Sequence, residues 1–276
     1  MRQSFQITKA QLVAFVAVAL KGGIRDRVLA AIMVVGLLLL LTTPVVAVFS
    51  MRQVLALATS YSLSIIGLVG LLLTLFTAMG LLASDLEQRQ VYTVCSLPIS
   101  RSVYLLGKFL GLAIIILLAI VILGLFSSGA LFVLERINPA ERAFAWGAFF
   151  AGLWFQYWVF LIVGAITLLF STVATSKFLP LALSVGIYFG GHSTEAVRYF
   201  LQTGAGQERL GTVARAFGRV VYWILPNFSA FDLKTQIVYS VAMNVKALLL
   251  TQLYGLAYLG VLLLLATMAF SRREFL

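Results

Sequence analysis

Residues 109–134 read FLGLAIIILLAIVILGLFSSGALFVL and contain no charged side chain. A helix needs roughly 17–25 mostly apolar residues to cross the hydrocarbon layer of a bilayer, and this run of 26 residues exceeds that length. Its apolar residues are continuous, whereas the strands of a membrane β-barrel alternate over segments of about ten residues. The stretch therefore predicts a transmembrane helix and an all-α membrane protein.

The rest of the chain has the same character. Of its 276 residues 62% are hydrophobic and 11% are charged, whereas a soluble domain carries about 25% charged residues. Six charge-free runs have at least 17 residues each: 28–51, 53–84, 109–134, 143–176, 178–194 and 247–271. The fifth run is the shortest. We predict one polytopic membrane domain over residues 1–276, with six transmembrane helices.

Residues 1–27 precede the first run. Their apolar side chains recur near helical spacing, with Lys9 and Lys21 as flanking cations. The apolar positions are Phe5, Leu12, Phe15, Val16 and Ala19. This pattern is typical of an amphipathic helix that lies along a membrane surface. Gly22-Gly23 then predicts a bend before the first span, because glycine imposes little conformational restriction.

Basic residues indicate the orientation in the membrane. In the termini and short loops, one side of a six-helix arrangement carries eleven Lys and Arg residues and the other carries three. The segment 192–246 adds six to the second side, but long loops translocate largely regardless of charge. We therefore expect both termini in the cytoplasm. The segment 192–246, with an amphipathic helix at 213–224, is expected on the outer side.

A compact charged segment, SDLEQRQVYTVCSLPISRSV at 84–103, separates the second and third predicted membrane helices. Asp85 and Arg89 share a helix face at i, i+4, and Pro98 ends that helix because proline cannot continue the hydrogen-bond ladder. Ser100 is suited to cap the next helix. The segment predicts a short cytoplasmic amphipathic helix. By residue type alone, a solvated loop that merely orients the membrane helices is an equal alternative.

Just inside the third predicted membrane helix, Gly107 and Gly111 form a GxxxG motif. Small residues at this spacing let another helix approach closely, which predicts a helix-packing site.

The stretch 85–111 resembles the intracellular loop of type-2 ATP-binding-cassette (ABC) exporter permeases. The family pattern is an acidic pair, a short helix, a small residue, Leu/Thr-Pro-hydrophobic-Ser-Arg, and then Leu-Leu-Gly-Lys-Phe/Tyr-Leu-Gly. The matching residues are Asp85, Glu87, Ser96, Leu97, Pro98, Ile99, Ser100, Arg101, Leu105, Leu106, Gly107, Lys108, Phe109 and Gly111. Arg89-Gln90 stands where many members have Gly-Thr. The chain is therefore more similar to the branch with the membrane subunits of nitrous-oxide-reductase maturation and gliding-motility exporters.

The resemblance implies a function and partners. Residues 84–103 would be a coupling loop whose helix docks in a cleft of a cytoplasmic ATPase, with these residues at the contact: Asp85, Glu87, Arg89, Pro98 and Arg101. It also implies two copies of the ATPase and a second permease subunit, identical or related. The location implied is the lipid of a bacterial or archaeal cytoplasmic membrane.

The chain lacks the phosphate-binding sequence GxxxxGK[ST]. We therefore expect no enzymatic activity and no cofactor in this chain, with ATP and Mg²⁺ held by the partner ATPase. The chain has one cysteine, Cys95, and one histidine, His192, and these counts argue against a metal site. The net charge of +11 suits anionic headgroups, and no soluble basic module predicts nucleic-acid binding.

Two other function classes remain as alternatives. An ATP-independent secondary transporter or channel usually carries ionisable residues at the membrane midplane and internal repeats, and the six runs show neither. A polytopic membrane enzyme would need more than His192 and Glu195. Three polar residues within the runs are candidates for lining a substrate route, although such groups more often join helices: Gln156, Ser127 and Thr167.

Overall fold

We describe the chain from a computed structural model, in residues 2–49, 53–83, 100–137, 144–174, 176, 178–202, 222, 224–239 and 241–272. Every regular element of these residues is a helix, as the sequence predicts. The α-helices are α1 (Arg2–Arg25), α2 (Arg27–Leu41), α3 (Thr43–Val48), α4 (Val54–Ala78), α5 (Arg101–Ile137), α6 (Trp146–Val173), α7 (Phe178–Gln202), α8 (Lys234–Val238) and α9 (Val245–Arg272). A π-helical turn, Met79–Ala83, extends α4, and a 3₁₀ turn, Phe228–Phe231, precedes α8.

Five helical segments of the described chain are long and apolar enough to cross a membrane. They are Arg27–Val48, Val54–Leu81, Arg101–Ile137, Trp146–Val173 and Val245–Arg272. These segments match five of the six predicted runs. The remaining run, 178–194, forms the first part of α7, which is not among the five. Glu195 and Arg198 lie in the last two turns of α7 and lower its hydropathy.

Contacts between side chains give the relative directions of the helices. Gly67 lies against Gln156 and Gly70 against Phe160, so α4 and α6 run in the same direction. Leu112 approaches Gly164 and Leu153 approaches Gly124, so α5 runs in the opposite direction. One end of the bundle therefore holds the start of α5, which we call the Arg101 face. The other end, where α5 terminates, is the Ile137 face.

The first two helices meet at Asp26. The predicted bend at Gly22-Gly23 is wrong, because α1 continues through both glycines to Arg25. Instead, the Asp26 side chain accepts a hydrogen bond of 2.7 Å from the Val28 backbone N–H and caps α2. A capping aspartate satisfies a backbone donor that the first turn leaves unpaired, and this fixes the break at Asp26.

The segment 224–239 enters the bundle from the Ile137 face without crossing it. The Lys234 Nζ donates a hydrogen bond of 2.6 Å to the Ser64 Oγ. Ser64 lies about 15 Å along α4 from its first residue, at 1.5 Å per residue. Phe228 and Phe231 are buried beneath α7 and α6. Non-helical backbone at membrane depth must be covered by protein or line a cavity, and this segment meets both conditions.

The core is centred on two helices. Most side chains of α4 and α6 are buried within the chain, whereas those of α2 and α9 are mostly exposed on the outside of the bundle. In a bilayer, such exposed apolar surfaces face lipid. The arrangement confirms a multi-pass membrane protein.

Candidate functional site

The start of α5 is bonded to the end of α9 on the Arg101 face. Arg101 donates hydrogen bonds from Nη1 to the carbonyl oxygens of Ser271, at 2.9 Å, and Phe270, at 3.3 Å. The last carbonyls of a helix have no partners within it, and a cation there also interacts favourably with the helix dipole. Arg101, which the sequence suggested as an ATPase contact, thus links two membrane helices.

The GxxxG pair packs against α1. A methyl carbon at Gly107 would lie 2.7 Å from the Phe15 Cβ, and one at Gly111 would overlap the Ala19 Cβ. Phe15 contacts Gly107, and Ala19, one turn later in α1, contacts Gly111, one turn later in α5. Therefore α1 runs alongside α5 in the same direction. The absence of a side chain on these glycines allows the close approach of the two helices.

An aromatic cluster joins α1, α5 and α9 one turn into α5. The Tyr104 ring meets the edge of Phe15 at a centroid distance of 5.2 Å and stacks on Phe270 at 5.9 Å. Lys108 is only 7% exposed, and its Nζ lies 5.6 Å from the centre of the Tyr104 ring. The first turns of α5 are therefore held on two sides, and they begin directly after the charged segment.

The other end of the charged segment follows the π-helical turn Met79–Ala83. Such turns are rare in helices and often occur at functional positions. Asp85, Glu87, Arg89 and Pro98 lie outside the described residues. The predicted amphipathic helix at 213–224 also falls almost entirely outside them.

Gln156 is positioned between α6 and α4. Its Nε2 donates a hydrogen bond of 3.1 Å to the Leu63 carbonyl oxygen, and it lies over Gly67, where a methyl carbon would be 2.7 Å away. Its Oε1 is buried and has no hydrogen-bond partner in the described part of the chain. Gln156 both joins the two helices and lines a cavity.

Thr167 and Ser127, the other two polar candidates, are buried and do not line the cavity that Gln156 lines. Thr167 donates a hydrogen bond of 2.9 Å to the Ser184 Oγ or the Val163 carbonyl, so it links α6 to α7. The Ser127 hydroxyl is buried in α5 and has no partner among the residues described.

The cavity has a volume of about 340 Å³ and lies between α4, α6, α7 and the segment 224–239. Its polar side chains are Ser64, Gln156, Tyr188, His192, Asp232 and Lys234. Sequence reasoning did not select Ser64, Asp232 or Lys234. They come from separate parts of the chain, and their only shared signal is polarity beside apolar runs.

Comparison with protein-family models finds no family that matches this sequence, and comparison with curated proteins finds no significant match.

Proposed function

We propose that the chain is the membrane-spanning permease subunit of an ABC exporter. The observation that carries this proposal is the stretch 85–111, whose acidic pair, Leu97-Pro98-Ile99-Ser100-Arg101 and Gly-Lys-Phe-Leu-Gly resemble the coupling loop of that family. The stretch connects α4 to α5. In the proposed protein, a separate ATPase binds this loop from the cytoplasm and drives substrate movement across the membrane.

The course of α7 supports a permease with six crossings. Ser184 bonds to Thr167 near the Arg101 face, and Tyr188 and His192 reach the level of Phe160 and Gln156. Thus α7 runs from the Arg101 face toward the Ile137 face. If α7 completes a sixth crossing, both termini lie on one side, which the distribution of basic residues assigns to the cytoplasm.

Contacts at the start of α5 support the proposed transmission of movement. The Arg101 bonds to α9 and the Gly111 contact with α1 join these helices to the end of the charged segment. A displacement of that segment by an ATPase would therefore shift α5 together with its neighbours. Rigid-body shifts of packed helices are a common form of conformational switching.

The proposed assembly contains two ATPase copies, which supply ATP and Mg²⁺, and a second permease subunit in the lipid of a bacterial or archaeal cytoplasmic membrane. Nothing in the sequence points to nucleic acid as a partner, and no catalytic role is proposed for this chain.

An ATP-independent secondary transporter or channel is the second candidate. The observation that favours it is Lys234, a cationic residue whose Nζ reaches Ser64 within the bundle. Ionisable residues at membrane depth often mark ion or substrate routes.

Reversing the charge of Glu87 tests the proposed coupling role. In the complex of the chain with its ATPase, Glu87→Arg is expected to reduce transport at least about tenfold, the effect of about 1.4 kcal/mol, because like charges at an interface disfavour docking. Transport and ATP hydrolysis are measured in proteoliposomes. The matched control is Glu195→Arg, an exposed acid in α7. Full ATP-driven transport by Glu87→Arg would show that Glu87 has no such role.

A further inference from the structure

The cavity beside Lys234 has the size and surface of a small-molecule site. Its volume of about 340 Å³ lies at the lower end of the range for ligand pockets, roughly 300–1,000 Å³. Aromatic rings form much of its wall, including Phe160, Tyr188, Phe228 and Phe231. Ligand pockets commonly combine such an apolar wall with a few fixed polar groups.

Lys234 supplies the positive charge of the cavity. Its Nζ donates to the Ser64 Oγ at 2.6 Å, which occupies one of the three N–H donors of an ammonium group. Among the described residues Asp232 forms no ion pair with the Lys234 ammonium group; its Oδ1 accepts the backbone N–H of Lys234 at 2.9 Å, and its side chain is exposed. Lys234 therefore retains donors for an anionic group.

Gln156 forms part of the cavity wall on α6. Since the Leu63 carbonyl can only accept, the Gln156 amide nitrogen must face it, and the Oε1 is left without a donor in the described chain. Because this Oε1 has almost no accessible surface, Gln156 contributes to the wall of the cavity and is not a contact for a ligand. The Nδ1 of His192 lies 3.0 Å from the Tyr188 carbonyl oxygen. Because a carbonyl oxygen can only accept, this Nδ1 must carry a proton.

The opening of the cavity suits a molecule with an apolar body. Leu68 and Phe189 both line it and are 54% and 62% exposed. Asp232, also exposed, lies at the same cavity. The rim therefore combines apolar and charged surface, which suits an amphiphilic ligand.

We propose that this cavity binds a small anionic amphiphile that enters from the Ile137 face, with its anionic group at Lys234 and its apolar body against the aromatic wall. The site goes beyond the proposed exporter function and needs no ATPase, since every residue that forms it belongs to this chain.

Thiol labelling tests access and charge preference. Cys95 is the only cysteine, so Cys95→Ser gives a cysteine-free chain into which Ser64→Cys is introduced, with Leu68→Cys at the rim as a second reporter. Ile137→Cys, which is 68% exposed at the end of α5, is the matched control outside the cavity. Two impermeant methanethiosulfonate reagents are compared in sealed vesicles of both orientations without ATP: one carries a sulfonate and the other a trimethylammonium group.

Cavity cysteines should react from the same side of the membrane as Ile137→Cys. The quantity compared is the labelling rate with the sulfonate reagent divided by the rate with the trimethylammonium reagent. This ratio should be at least about tenfold higher at the cavity cysteines than at Ile137→Cys, and Lys234→Gln should abolish the difference. The ratio cancels any effect of Lys234 on thiol reactivity itself. Failure of both cavity cysteines to react, or a ratio that does not depend on Lys234, would overturn the proposal.

Ligand protection tests binding directly. Anilinonaphthalene sulfonate is an aromatic amphiphile with one anionic group and one N–H donor, and phenylnaphthylamine is the same framework without the sulfonate. The sulfonate probe should slow labelling of Ser64→Cys or Leu68→Cys at least fivefold more than phenylnaphthylamine does, and this difference should disappear in Lys234→Gln. Equal protection by both probes, or none by either, would contradict an anion site. Either result leaves the ATPase partnership unaffected.

Discussion

At the scale of single residues, two glycines decide how closely α1 approaches α5. A methyl carbon at Gly111 would overlap the Ala19 Cβ, which belongs to the partner helix and cannot rotate away. Gly129 lies on the same helix, and a methyl carbon there would have no neighbour within 4 Å. Substitutions at Gly111 and at Gly129 can therefore be compared to separate the effect of packing on stability from the effect of helix propensity.

We expect Gly111→Ala to lower stability and Gly129→Ala to leave it unchanged or raise it. Alanine favours a helix over glycine by about 1 kcal/mol at both positions, whereas overpacking costs about 1–3 kcal/mol at Gly111 alone. The measurement is the thermal unfolding midpoint of the detergent-solubilised chain. Equal midpoints for the two variants would show that the α1–α5 contact is looser than described.

Arg101 is the second residue with a specific structural role. Arg101→Ala removes two hydrogen bonds to the final carbonyls of α9 and should destabilise the chain by about 1–3 kcal/mol, because these bonds involve a charged donor. Arg101→Lys keeps the charge but loses the guanidinium geometry, so an intermediate loss is expected. Chemical or thermal unfolding measures both. Unchanged stability of Arg101→Ala would show that these two bonds do not hold α5 to α9.

At the scale of elements, α7 determines the topology. The five candidate spans alone would place the termini on opposite sides of the membrane, and a crossing by α7 places them on the same side. Because α7 is antiparallel to α6 and the basic residues favour cytoplasmic ends, we expect six crossings.

Labelling of terminal cysteines tests this prediction. In the Cys95→Ser chain, Ser4→Cys and Glu274→Cys should both react with an impermeant maleimide in inside-out vesicles, and neither should react in right-side-out vesicles. Ile137→Cys should show the reverse pattern and serves as the control. Reaction of the two termini from opposite sides would exclude a crossing by α7.

The same elements show what could be predicted from sequence. Charge-free runs predict the five candidate spans well, because a membrane requires length and apolarity and little else. The run 178–194 is weaker because it is short and continues into Glu195 and Arg198. The break between α1 and α2 was misplaced because the Asp26 cap outweighs the low helix propensity of Gly22-Gly23.

The cavity could not be predicted in the same way. Ser64 and Gln156 lie in separate helices, and Asp232 and Lys234 lie in an inserted segment without simple periodicity. Their association depends on how that segment folds back into the bundle. Gln156 stands out in the sequence because it is an amide in an apolar run, whereas Lys234 is one of six basic residues in the segment 192–246.

At the scale of the whole molecule, the proposed permease depends on a partner protein. The chain contains no GxxxxGK[ST] sequence, so a permease of this type must obtain ATP-driven movement from another subunit. The charged segment between α4 and α5 is the proposed docking element. The contacts of α5 with α1 and α9 would carry the movement into the bundle.

The most direct test is purification of the tagged chain from its own host in mild detergent, with mass spectrometry of the proteins that accompany it. We predict a stoichiometric cytoplasmic partner that carries GxxxxGK[ST] and whose ATPase activity changes in the complex. A chain that purifies without such a partner, and that transports in liposomes without ATP, would contradict the account and favour a secondary transporter or channel.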